Sequence, residues 1–190
     1  MHPLRSLIRP FLFVLCLFPA AALHAEPASP HRTPASIVVP KETAATADEL
    51  AAKADLIVYG SLAEEAKPYP TGRKVDGRLL INYVQKFKVK RILRGTVDAN
   101  GTLAILTDGF DPLPLPQDPL NLTYTGPLVQ GEYVCFLHRV PQSAEYTITG
   151  GWQGLYPLQG GKLVALQKQG GFAAYGGMTV EQLQDRLRRP

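Results

Sequence analysis

The chain has few of the residues that usually carry metal or redox chemistry. Its 190 residues include two cysteines and four histidines. A closed zinc site needs four ligands, and beyond residue 25 the soft ligands are Cys135, His31 and His138 alone. The sequence therefore predicts neither a bound metal nor a cofactor.

Catalytic motifs are missing from the sequence as well. No Ser-centred elbow, glycine-rich phosphate loop or dinucleotide fingerprint occurs. Cys135 and His138 lie three apart on a predicted strand, so their side chains point to opposite faces and form no dyad. Asp108, Asp111 and Asp118 offer oxygens for calcium, but their spacing is not that of an EF-hand. We expect solvated loop acids there and predict no catalytic residue.

The first 25 residues have the three parts of a secretory signal. Arg5 and Arg9 give a positive start, residues 11–18 are wholly apolar, and small residues follow up to Ala25. The apolar run is far shorter than the ~20 residues needed to cross a bilayer. We therefore predict a signal peptide cleaved after Ala25 or Ala22, and a periplasmic or secreted protein whose mature chain has no membrane span.

Removal of this segment leaves a nearly neutral chain of the length of one domain. Basic residues fall from 20 to 18 against 16 acidic ones, because Arg5 and Arg9 leave with the signal. Cys135 becomes the only thiol, which excludes an intramolecular disulfide. It either pairs with another chain or is a small buried apolar residue. The apolar run around it, residues 133–137, favours burial.

The mature chain divides into a lead and one domain. Four prolines interrupt residues 26–45, which we predict to be flexible, and the domain covers residues 46–190. Thr46 and Glu49 form a capping box for a first helix, and Thr179 and Gln182 form one for a closing helix.

Between the two helices the pattern is that of strands. Apolar and polar residues alternate through residues 79–93, which predicts one long, bent strand with Asn82 and three lysines facing water. Further strands are predicted at 56–60, 102–107, 132–140, 146–149, 155–158 and 163–166, with a long proline-rich loop over 108–131. The prediction is a mainly β protein, a small antiparallel OB-like barrel of about six strands with a short helix at each end.

Four stretches carry a resemblance to a known family; they are residues 54–60, 87–95, 131–137 and 150–154. They resemble a family of small exported bacterial proteins, mostly uncharacterised. Its order of elements is similar to the OB-type barrel of netrin-like and metalloproteinase-inhibitor domains. Such inhibitors place an N-terminal cysteine on the catalytic zinc, and this chain has no cysteine near its mature start. The resemblance implies the barrel rather than the inhibitory group.

Three surface features are candidate binding sites: the proline-rich loop over 108–131, the lysine face of the long strand and the turn around Trp152. Lys86, Lys88 and Lys90 share one face of the long strand and suit a polyanion of the envelope. Export argues against a nucleic acid as partner. Alternate lysines also keep a strand soluble and discourage edge pairing. Trp152, in a glycine-rich turn, either anchors a partner or closes the end of the barrel.

These observations leave two functional interpretations. The first is an exported, non-enzymatic binding module whose partner is an envelope or extracellular protein or polyanion. The second is a protease-inhibitor-like protein or an envelope enzyme whose residues meet only in the fold. A pocket that unites Asp108, His138 and the 108–131 loop would favour the second, and a barrel without such a pocket the first.

Overall fold

The computed structural model describes residues 31–97 and 101–189. The predicted signal peptide lies outside them. The described helices are α1 (Ala47–Lys53), α2 (Leu120–Thr123) and α3 (Val180–Leu187), with short 3-10 helices at Pro34–Ser36, Gly151–Gly154 and Gly170–Tyr175. The described strands are β1 (Leu56–Leu62), β2 (Lys67–Val75), β3 (Arg78–Arg94), β4 (Thr102–Phe110), β5 (Gly131–Arg139), β6 (Glu145–Ile148), β7 (Leu155–Gln159) and β8 (Lys162–Leu163). None of the helices in this part of the chain has the length and apolar character needed to cross a membrane.

Five of the strands close into a barrel in the order β1-β3-β4-β6-β5. β1 is antiparallel to β3 on one side and to β5 on the other, which closes the ring. β4 and β6 are parallel, because the chain crosses one end of the barrel between them. The prediction of a mainly β protein with a small OB-like barrel is confirmed.

β3 is the longest strand, and its register with β1 shifts at two points. These shifts bend it around the barrel, as its length predicted. Gly60 allows β1 to come close at the bend, since a Cβ there would lie 2.2 Å from the carbonyl oxygen of Lys88. The other end of β3 forms a hairpin with β2, a strand that we did not predict.

The barrel interior is apolar and includes the single described thiol. Its buried residues are Leu56, Val58, Leu62, Phe87, Leu103, Ile105, Leu128, Tyr133, Cys135, Leu137, Tyr146, Ile148 and Leu155. Cys135 is fully buried, and this burial raises the pKa of its thiol. The prediction that Cys135 is a small buried apolar residue is therefore confirmed.

A second core lies between the helices and the outer face of β1 and β5. Phe136 of β5 stacks on Tyr175, with ring centroids 5.7 Å apart, and both rings contact Tyr156. The capping box of Thr179 and Gln182 forms as predicted. At the first helix only half of the predicted box forms: Thr46 accepts from the backbone N–H of Glu49, but the Glu49 carboxylate accepts from the N–H of Ala45. The helices thus form a layer against one side of the barrel.

The segment before α1 packs on the barrel, in contrast to the expected flexible lead. Ile37 is buried with Leu106 and Val140. Asn82 donates from Nδ2 to the carbonyl oxygens of Pro34 (2.7 Å) and Ile37 (2.8 Å). The prediction that Asn82 faces water is therefore wrong, because this segment covers the outer face of β3 at that point.

The long loop is shorter than predicted. β4 continues to Phe110, so Asp108 lies in a strand and is buried instead of being a solvated loop acid. The segment between β4 and β5, residues 111–130, carries α2 and is called the proline-rich loop below.

Candidate functional site

The proline-rich loop is held against the barrel at its C-terminal half. Gln85 of β3 donates from Nε2 to the carbonyl oxygen of Leu128 (2.9 Å) and accepts its backbone N–H (2.7 Å). The hydroxyl of Thr107 donates to the carbonyl oxygen of Gly126 (2.7 Å). Leu128 itself is buried in the barrel interior. These contacts fix the end of the loop where it returns to β5.

Trp152 holds the middle of the loop. It lies in the 3-10 helix Gly151–Gly154, half-buried against the barrel interior. Its indole Nε1–H donates to the carbonyl oxygen of Asn121 (2.7 Å), and Asn121 in turn donates from Nδ2 to that of Leu115 (2.6 Å). Trp152 thus joins the loop to the barrel.

The rest of the loop presents apolar side chains to solvent. Seven large apolar side chains are exposed in the described residues, and four of them belong to this loop: Leu113 (57%), Leu115 (67%), Leu122 (78%) and Val129 (78%). The loop contains Asp111 and Asp118 but neither lysine nor arginine. The loop therefore exposes four large apolar side chains and carries two acidic residues, and its contacts with Gln85, Thr107 and Trp152 hold it against the barrel.

A partly buried ion pair links the segment before α1 to β4, and its lysine also contacts the loop. The Lys41 ammonium lies 2.6 Å from Oδ1 of Asp108 and donates to the carbonyl oxygen of Thr123 (3.2 Å). It also lies 4.1 Å from the ring centroid of Tyr124. Asp108 has a side chain only 3% exposed, against 37% for Lys41. The pair borders a cleft of about 140 Å³ beside Trp152.

Burial works against both charges of this pair. Desolvation raises the pKa of Asp108, and it lowers the pKa of Lys41, although each partner opposes the shift of the other.

The calcium hypothesis finds no support in the geometry. Asp108 is occupied by Lys41 and Asp118 by Arg78 at 3.1 Å, and no group of three metal-binding side chains occurs among the described residues.

The three lysines of β3 are exposed, but acidic neighbours accompany two of them. Lys86 lies 3.3 Å from Glu64, and Lys90 pairs with Glu132. The hydrogen bond from Lys90 lowers the pKa of the Glu132 carboxyl. Lys90 also lies 5.6 Å from the ring centroid of Tyr59. The face of Lys86, Lys88 and Lys90 is therefore less positive than the sequence suggests.

His138 lies apart from Asp108. Its Nδ1 is 2.8 Å from Oδ2 of Asp55, which also accepts the backbone N–H of Arg139 (2.9 Å). The His138 side chain borders a depression of about 260 Å³ with Thr147, its neighbour across the strand pair. Asp108 lines the separate cleft, so these described residues do not form the single pocket that would favour an enzyme.

No protein-family model, curated protein or solved structure matches this chain. The resemblance to small exported bacterial proteins stays a prediction. The site residues that sequence reasoning missed are Lys41 and the exposed leucines of the loop. Repeated Pro-Leu pairs at 112–116 were a usable signal for the leucines, whereas nothing in the sequence placed Lys41 beside Asp108.

Proposed function

We propose that the chain is an exported binding module that engages a protein partner through the proline-rich loop. The observation that carries this proposal is the exposure of Leu113, Leu115, Leu122 and Val129 on one loop. Soluble proteins seldom gather exposed apolar side chains without an interaction to serve. Here they occur in a loop whose buried residues already attach it to the barrel.

The charge of the loop favours a protein over a polyanion. A polyanion needs basic groups at its contact, and the loop itself contains only the acidic Asp111 and Asp118, the second of which pairs with Arg78. An apolar surface on the partner with a neutral or basic rim would complement it. Since Trp152 and Gln85 fix the loop, less conformational entropy is lost on binding than with a flexible loop.

The sequence of the loop narrows the chemistry of the partner further. Residues 112–116 read Pro-Leu-Pro-Leu-Pro, and residues 113–115 have no regular secondary structure. Proline-rich segments of this kind dock into grooves lined by aromatic rings, because their extended shape is preformed. We therefore expect a partner with an aromatic-lined groove that takes Leu113 and Leu115.

Affinity capture from envelope extract tests the proposal. The parent chain is compared with the double variant Leu113→Ser/Leu115→Ser, and the matched control is Ile92→Ser/Leu166→Ser, which changes two exposed apolar residues outside the loop. We expect a protein partner that survives high salt, is lost with the loop variant and is kept with the control. A partner that both variants retain, or that salt removes from the parent, contradicts the proposal.

Export is the other half of the proposal and has a separate test. The chain is expressed with its own leader in a Gram-negative host, and the intact mass of the released protein is measured. The expected product begins at Glu26, or at Leu23 if cleavage follows Ala22. A full-length product confined to the cytoplasm contradicts export.

A protease-inhibitor-like protein or an envelope enzyme is the second candidate. The observation that favours the enzyme is the pair of His138 and Asp55, in which an acid orients an imidazole next to Thr147. If the pair is catalytic, the parent chain should hydrolyse an activated ester such as p-nitrophenyl acetate, and the variant His138→Ala should lose this activity. Hydrolysis that this variant leaves unchanged, or no hydrolysis at all, removes the pair from consideration as a catalytic dyad.

A further inference from the structure

A depression separate from the loop lies between α1, α3 and the end of β3. Its volume is about 490 Å³. Arg94, Arg186 and Arg189 border it, and Asp48 is the carboxylate that these described residues place beside them. The rim therefore carries an excess of positive charge on a concave surface.

The local contacts leave this charge available. Arg94 is oriented by its hydrogen bond from Nη1 to the carbonyl oxygen of Ala51 (2.6 Å), which neutralises none of its charge. Arg186 lies 3.6 Å from Asp48, a long separation to a carboxylate that is 80% exposed. Such an exposed pair is weak and easily displaced. A ligand anion that carries more negative charge than a carboxylate would replace Asp48 as the partner of Arg186.

Apolar residues also line the depression. Ala52 is exposed and Leu187 half-buried, whereas Ala51 and Tyr175 are buried, and the Tyr175 hydroxyl donates to the carbonyl oxygen of Ala47 (3.0 Å). Tyr175 is buried in the second core, so its ring has a fixed position. A bare inorganic ion would leave most of this volume unfilled, whereas a ligand with an apolar body would use it.

We infer that this depression binds an organic phosphate, with the phosphate between the guanidinium groups and an apolar body against Leu187 and Ala52. Guanidinium groups bind phosphate oxygens through paired hydrogen bonds, and a doubly charged head group suits several of them better than a carboxylate does. The site differs from the proline-rich loop in position and in charge, and it does not depend on the proposed protein partner.

Calorimetric titration with phenyl phosphate tests the site in the chain purified after expression with its own leader. We expect saturable binding, weaker binding of inorganic phosphate and of benzoate, and none of benzyl alcohol. Arg186→Gln/Arg189→Gln should weaken the binding of phenyl phosphate about tenfold or more. Loss of a single charged hydrogen bond that is partly shielded from water lowers affinity by about this factor.

Two further variants make the test specific. Arg188→Gln is the matched control, because Arg188 lies in the same turn but pairs with Asp185 outside the depression, and it should leave binding unchanged. Asp48→Asn should strengthen binding, because it removes the competing carboxylate. Equal thermal midpoints would show that the variants are folded. Absence of phenyl phosphate binding, equal loss in Arg188→Gln, or weaker binding in Asp48→Asn would each overturn the inference.

Discussion

The barrel interior and the proline-rich loop use similar apolar residues in opposite ways. In the interior, leucine, valine and phenylalanine side chains are excluded from water. In the loop, Leu113, Leu115, Leu122 and Val129 are more than half exposed, although Leu128 of the same loop is buried. Folding therefore buries Leu128 and leaves these four side chains on the surface.

This difference separates residues that stabilise the fold from residues that are free to bind. Burial of an apolar side chain contributes roughly 1.5–3 kcal/mol to folding, and an exposed one contributes little. The exposed leucines increase the risk of aggregation without stabilising the barrel. Their presence is explained if a partner covers them, which is the basis of the proposed function.

The largest expected effect contrasts the two regions directly. Phe87→Ala removes a fully buried ring from the barrel interior and should lower the free energy of unfolding by about 3–5 kcal/mol. Leu115→Ala in the loop should change it by less than about 0.5 kcal/mol. Urea denaturation followed by circular dichroism measures both. Similar losses in the two variants would break the comparison.

A smaller effect is expected where the two regions meet, at Asp108. Asp108→Asn leaves the Lys41 ammonium without its acidic partner but also removes a carboxylate that burial disfavours, so near neutral pH it should cost no more than about 1 kcal/mol. The same denaturation measurement reports it, and Lys41→Gln/Asp108→Asn should recover part of the loss. A double variant less stable than either single variant would contradict this account.

The pH dependence of Asp108 has a defined sign. Burial raises its pKa above the ordinary value of 3.8, so the folded state binds the proton more tightly than the unfolded state. The resulting contribution to stability is complete below about pH 3.8 and is lost as the pH rises through the raised pKa. The stability of the parent relative to Asp108→Asn should therefore fall as the pH rises from 4 toward neutrality. A relative stability that grows over this range would refute the assignment.

Trp152→Phe should have a moderate effect on stability and a larger effect on the loop. The change keeps an aromatic ring but removes the hydrogen bond to Asn121, which should cost about 1 kcal/mol. We expect faster amide hydrogen exchange at residues 120–124, with no change in the interior of β5. Unchanged exchange in the loop would show that Trp152 does not hold it.

The smallest effect is expected at the lysines of β3. Lys86→Gln/Lys90→Gln removes two exposed ion pairs, with Glu64 and Glu132, which contribute little in water. Thermal denaturation should show no measurable change in midpoint, and capture of the protein partner should be unaffected. Loss of the partner in this variant would move the binding surface from the loop to the lysine face.

The barrel was predictable because its signals are local. The alternation along β3, the apolar runs of β1 and β5, and the two threonine caps each specify one element from neighbouring residues. β2 was missed because Pro68 and Pro70 lack the backbone N–H that a strand normally uses, although Asp76-Gly77 is a strong hairpin signal. Both turn residues have positive φ, at 49° and 78°.

The site was less predictable because its contacts are distant in sequence. Lys41 lies beside Asp108, and Arg94 borders the same depression as Arg186, because the fold brings distant segments together. In the alternating pattern of β3, Asn82 falls on the same face as the exposed lysines. It is buried nevertheless, because the segment that contains Pro34 and Ile37 covers it. No periodic pattern encodes such pairings, so a single sequence cannot reveal them.

Hydrogen exchange of the chain with and without its captured partner tests the central claim most directly. The account predicts that protection gained on binding is concentrated in residues 111–130, and above all around Leu113 and Leu115, while β3 between Lys86 and Lys90 is unchanged. Protection that falls on the lysine face, with the proline-rich loop exchanging as in the free chain, would contradict it.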